Sequence, residues 1–204
     1  MADLPFDLEP GLAERLTRVL DVEGKLLRAL DSLGPVRDRD VVLVDGAGGF
    51  RARQLTDLGA RVTLVESSGP APFDAPDGSA DVLVSWWSAF RGAPPDQLAH
   101  ARRLLRPGGR LMVIHDYGRD DVATLRGDLV EYGLWTRRDG PFLANGFKVR
   151  VVHCWWTFES LEAARDFLAD AFGPAGQDLA GRLTRPRLSY NLAIYHRTFG
   201  EAQA

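Results

Sequence analysis

Cysteine occurs once in these 204 residues, at Cys154, so the chain holds neither a disulfide framework nor a thiolate metal cluster. Internal repeats and low-complexity tracts are absent, and no apolar run approaches the length that spans a bilayer. An excess of one charge is lacking too: a net charge of −3 gives no reason to expect nucleic acid or an anionic membrane as a partner. The opening "MADLPFDLEPG" has acid and proline where a secretory signal would have base and an apolar stretch. Together with the lone thiol, this sets an expectation of a cytoplasmic protein. What remains is ordinary globular material, 45% apolar and 26% charged, of a size for one domain over residues 1–204.

Leu12, Leu16, Val19 and Leu20 share one helical face, and Leu26, Leu27, Leu30 and Leu33 form a second stripe. Gly24 lies between the stripes and marks a bend or break; Gly34 and Pro35 end the segment. After it, strands and helices alternate. "VVLV" (41–44) is apolar throughout, as in a strand covered on both faces. A short helix over 51–58, the strand "RVTLVE" ending at Glu66, and the strand "DVLVSWW" (81–87) follow. A helix over 95–105 is stopped by "RPGG" before the strand "RLMVIH" (110–115). A helix is expected near 120–132, a long strand over 147–156, a helix over 160–172 capped by Ser160, and a last strand in "YNLAIYHRTF". This order predicts an α/β fold with a doubly wound, mostly parallel sheet. The last two strands, separated by one helix, allow an antiparallel insertion at that edge.

Ligands of such sheets bind outside the carboxyl ends of the strands. Here the first turn is "DGAGGF", in which Gly46 and Gly48 permit a sharp bend before a helix N-terminus. Glu66 closes the next strand about twenty residues later, where a carboxylate can accept ribose hydroxyls. A glycine cluster by itself is equally consistent with a plain strand-to-helix turn. The acid at that distance tips the reading towards a nucleoside site.

The order "VVLVDGAGGF…GARVTLVE…PDGSADVLVSWWSAF…ARRLLRPGGRLMVIH" resembles the core of the class I S-adenosylmethionine-dependent methyltransferases, over roughly residues 40–116. "LLRPGGRLMVI" is its most telling part. The resemblance implies a Rossmann-like fold with residues 1–38 as a helical entry segment, 40–116 as the cofactor half and 117–204 as the substrate side. It implies S-adenosylmethionine as cofactor, with Gly46, Gly48 and Gly49 under the methionine part and Glu66 on the ribose. Asp45, Ala47, Ser85 and Trp86 complete the expected cofactor set.

Three departures stand out. Phe50 falls where the family has its third glycine, and a left-handed phenylalanine would cost roughly 1–2 kcal/mol, so the turn must differ in detail. The family's acid before the first glycine falls on Val44, leaving Asp45 displaced by one and pointing the other way unless the strand end twists. Between Glu66 and Asp81 stands only "SSGPAPFDAPDGSA", too short and too rich in proline for a helix plus a further strand. One helix and one edge strand, which supply the family's adenine-reading acid, are therefore expected to be absent. Phe73 is expected to cap the apolar edge so exposed, and the N-terminal helix to cover the bared face.

The third and fourth strand ends should line the cleft mouth. Trp86 and Trp87 cannot both enter the core of a strand, so either one faces the cleft and stacks on a planar ring or both pack beneath loops, two readings of about equal weight. His115 is the natural base if the acceptor must lose a proton, with Asp116 beside it and Tyr117 and Trp87 as substrate contacts. No metal site is expected, because adjacent ligands on a strand point opposite ways. Cys154 reads as an inert buried thiol, and Arg182, Arg185 and Arg187 as a solvated loop.

Three functions follow for testing. The first is a methyltransferase with a small-molecule acceptor. The second is a protein of the same fold that has lost catalysis and serves as a binding or scaffold module. A nicotinamide-dependent oxidoreductase is a third, disfavoured by Phe50 and the Pro-Gly-Gly segment.

Overall fold

A computed structural model describes residues 3–46, 48–127 and 130–200. Its centre is a six-stranded sheet of order β2-β1-β3-β4-β6-β5. Strands β1 (Asp40–Val44), β2 (Arg61–Val65), β3 (Ala80–Trp86) and β4 (Leu105–Asp116) are mutually parallel. The last strand, β6 (Arg187–Thr198), runs antiparallel between β4 and β5 (Lys148–Thr157). The sheet is therefore mixed, with the reversal at the edge where the late strands fall. Strand β4 begins at Leu105, five residues before the expected start, because "RPGG" is absorbed as an irregularity in its pairing with β3.

Period-two alternation divides the strand side chains between two helical layers. Val41, Leu43, Val82, Val84, Met112 and Ile114 face a core shared with α1 (Pro10–Val19), α2 (Lys25–Leu33), α3 (Phe50–Asp57) and α8 (Leu161–Arg182). Val42, Val44, Leu83, Leu111 and Val113 face the opposite core, against α4 (Pro95–Leu104) and the short helices α6 (Val130–Trp135) and α7 (Pro141–Ala144). Gly24, with φ of 64°, does break the entry segment into two helices.

Four local expectations are corrected. The helix near 120–132 is two short pieces, α5 (Ala123–Arg126) and α6, because Gly127 turns left-handed at φ of 77°. Ser160 caps α8 by accepting the Ala163 N–H at 3.0 Å, as its position implies. That helix, however, runs on past Phe172 through a kink at Gly173 and Pro174 to Arg182. The third correction concerns the N-terminal helices, which pack against β5, β6 and α8 rather than beside β2. The fourth concerns Phe73: it covers β2 only on the α4 side, in one core with Val65, Phe90 and His100, and leaves Leu64 on the other face half exposed. Between β2 and β3 there is no helix or strand, so β2 is itself an edge.

Candidate functional site

The carboxyl ends of β1, β2, β3 and β4 meet at one rim of the sheet. After β1 the backbone turns at Asp45, whose φ of 56° is left-handed, and its N–H donates to the Val65 carbonyl at 2.8 Å. This twist swings the Asp45 carboxylate onto Ser67, where it accepts the backbone N–H at 2.7 Å and the hydroxyl at 2.5 Å. Gly46 is pressed against Leu43 and Leu64, and an added Cβ would lie 2.6 Å from the former. Gly49 takes the second left-handed position, at φ of 71°, which leaves Phe50 free to open α3 in ordinary helical geometry. Ala47 lies outside the described residues. The turn thus differs from a three-glycine loop in the way that the placement of Phe50 requires.

A cavity of about 470 Å³ opens beside this turn, within the size range of small-ligand sites. Asp45, Glu66 and Ser67 line one side, Trp87, Ser88 and Arg126 another. Glu66 is exposed at the end of β2. The third wall comes from the N-terminal segment, Leu4 to Asp7, a contribution that no sequence pattern announces.

That segment also reaches the glycine turn. Asp3, only 2% exposed, accepts the Phe50 N–H at 2.9 Å, so it caps α3 from outside the helix. Its carboxylate lies against Gly48, where an added Cβ would come within 2.7 Å of it. The Arg51 side chain donates to the Asp3 carbonyl at 3.2 Å and lies 4.2 Å from the Trp86 ring centre. Burial lowers the Arg51 pKa to about 10, opposed by the charge of Asp3. Trp86 is a core residue beneath Arg51 and faces away from the cavity. Trp87 lines the cavity but is buried in the same core, which corrects the expectation that the two could not both enter it, because its left-handed φ of 54° breaks the strand alternation. Ser85 is wholly buried, its hydroxyl accepting the Ala89 N–H at 3.1 Å to brace the turn after β3.

At the end of β4, Asp116 and His115 point to opposite faces. Asp116 accepts from the Trp87 indole at 2.8 Å and the Tyr190 hydroxyl at 2.5 Å, and pairs with Arg126 at 2.7 Å. Burial raises its pKa, while Arg126 and the two neutral donors oppose the rise. Tyr117 lies along a second cleft of about 260 Å³, which Asp116, Arg126, Tyr132 and Tyr190 also line. His115 lines neither cleft. Fully buried, it sits against Trp135 at a ring separation of 4.9 Å and near Phe142 and Tyr132. Desolvation, with Arg91 adding repulsion, lowers its pKa to about 3. A neutral imidazole sealed among aromatic rings is a packing group; it has no route to a substrate proton, which corrects the expectation drawn from its place at a strand end.

The structure therefore brings Asp45, Glu66 and Trp87 together, places Asp116 and Tyr117 along the adjoining cleft, and keeps Ser85, Trp86 and His115 in the interior. A nucleoside with a methionine tail fits this rim in part. The Glu66 side of the cavity is open to a ribose, but the glycine side is filled by Asp3.

No family model matches the chain, and no curated protein matches it either. Among solved structures it is similar to the partner of the Trm112 methyltransferase activator in a Haloferax volcanii complex, described as a putative methyltransferase. That match has 19% identity and a TM-score of 0.54 over 95% of this chain and 93% of that one. It is similar as well to a putative type II methyltransferase from Anaeromyxobacter dehalogenans, with 19% identity and a TM-score of 0.51 over 86% and 96% of the two chains. A geranyl diphosphate methyltransferase matches at 18% identity and a TM-score of 0.50, over 93% and 83%. With four parallel strands and the reversed β6 in place, the chain has the Rossmann-like mixed-sheet fold of the class I S-adenosylmethionine-dependent methyltransferases.

Proposed function

We propose that this protein is an S-adenosylmethionine-dependent methyltransferase acting on a small molecule in the cytoplasm. The observation that carries the reading is the convergence of Glu66, Asp45 and Trp87, from the ends of three adjacent strands, on one cavity. Glu66 would accept the ribose hydroxyls, and the Trp87 ring, held by Asp116, would form a wall of the pocket. When bound, the cofactor supplies a methyl group on a sulfonium. The chain has mainly to align the two partners and exclude water, for which positioning alone can contribute several kcal/mol. Tyr117 and the adjoining cleft at Asp116 are the proposed acceptor side.

A second reading is a non-catalytic binding or scaffold protein of the same fold. It is favoured by Asp3 lying on Gly48 and by the lack of any helix or strand between β2 and β3. Thermal melting with and without S-adenosylhomocysteine separates the two. A ligand at a hundred times its dissociation constant raises stability by about 2.7 kcal/mol, a readily seen shift. No shift at millimolar ligand, in the wild type or with the N-terminal segment released, would leave only the scaffold.

A further inference from the structure

Residues 3–6 occupy the rim of the sheet without belonging to any helix or strand. Four attachments hold them. The Asp3 carboxylate takes the Phe50 N–H, and the Asp3 carbonyl takes Arg51. The Pro5 carbonyl takes Arg126, and the Phe6 ring lies 4.4 Å below the same guanidinium. Phe6 also meets the rings of Trp156 and Phe172 edge-on, at 5.8 and 4.9 Å. Leu4, 4% exposed, is buried between these anchors.

We propose that this segment is an autoinhibitory strap: Asp3 occupies the glycine turn in place of a ligand, and residues 3–6 must leave before a cofactor can fill the cleft. The inference rests on the methyltransferase reading. Leu4 belongs to the sheet's core and Phe6 and Leu8 pack against it, so release exposes apolar surface; two features favour it nonetheless. First, the strap joins α1 through residues 7–9, which belong to no helix or strand, so it can swing away without unfolding either, giving up the contact of Leu8 with the core. Second, the acid is poorly satisfied where it lies. Its Oδ1 is buried without a hydrogen bond, and desolvation raises its pKa despite Phe50 N–H, Arg51 and Arg53 nearby. A ligand carrying its own better-matched groups can therefore compete for the turn.

Arg126 links the strap to the rest of the site. Besides holding Pro5 and Phe6, it pairs with Asp116 and lines both clefts. Release of the strap frees one side of this guanidinium for the acceptor cleft.

The test is titration calorimetry of S-adenosylhomocysteine into the wild type, Asp3→Ala and Phe6→Ala, with hydrogen exchange of a peptide covering residues 3–9. If the open form is about 1–10% of the wild type, both variants bind about 10- to 100-fold tighter. Saturating ligand then speeds exchange in that peptide of the wild type. Equal affinities in all three proteins, with exchange unchanged by ligand, overturn the strap. If the variants exchange freely over residues 3–9 yet bind no ligand, the methyltransferase reading fails and the gating role falls with it.

Discussion

The indole N–H of Trp87 donates to the Asp116 carboxylate at 2.8 Å, tying the end of β3 to the end of β4 across the mouth of the cleft. The same oxygen accepts the Tyr190 hydroxyl from β6, and the second oxygen pairs with Arg126. One buried carboxylate thus fixes three elements. Asp116→Ala leaves a guanidinium, an indole and a phenol short of a partner in a largely dry site. A loss of about 3 kcal/mol is expected, read as a lower urea midpoint. Asp116→Asn, which still accepts from Trp87 or Tyr190, should lose less.

Glu66 is exposed and bears no structural burden, so Glu66→Ala should leave the melting temperature unchanged. In an Asp3→Ala background it should weaken S-adenosylhomocysteine binding about 10- to 100-fold, the equivalent of one or two charge-assisted hydrogen bonds. Unaltered affinity would remove Glu66 from the ribose.

His115 makes stability depend on pH in a defined window. The unfolded chain takes up a proton near 6.5, whereas the folded protein resists protonation until about 3. Unfolding therefore binds protons between these values, and stability falls as pH falls through them. Relative to His115→Phe, the wild type should lose about 1.4 kcal/mol on going from neutral pH to pH 5.5. Parallel urea curves for the two proteins over that range would contradict the buried, neutral ring.

Two glycines of α8 should respond with opposite sign. An added Cβ at Gly176 would lie 1.8 Å from the Leu168 carbonyl across the kink, so Gly176→Ala must push the two helical stretches apart. A cost of about 1–3 kcal/mol is expected. Gly181 has open space around it, and Gly181→Ala should stabilise by about 0.5–1 kcal/mol through helix propensity. Chemical denaturation of the two variants side by side checks both signs.

The alternation of strands and helices, the break at Gly24, the Ser160 cap and the reversed closing strand were all legible along the chain. Each is written in periodicity or in a local hydrogen-bonding habit a few residues long. Trp86 and Trp87 show where that legibility stops. Alternation says that only one of them enters the core, yet both are buried in the same core beneath Arg51, because Trp87 leaves the strand with a left-handed φ of 54°. His115 shows the same limit, since a polar residue at a strand end reads as a site until the aromatic rings of α6 and α7 are seen to enclose it.

What the sequence by itself determined is the layered sheet, the glycine turn, and an acid a fixed distance beyond it, because these depend on local geometry and repeat spacing. Only the tertiary structure decided who occupies the turn. The bond from Phe50 to Asp3 joins positions 47 residues apart, and that between Tyr190 and Asp116 joins positions 74 apart. Pairings of that range arise from the packing of whole elements against one another, and no local pattern of side chains encodes them.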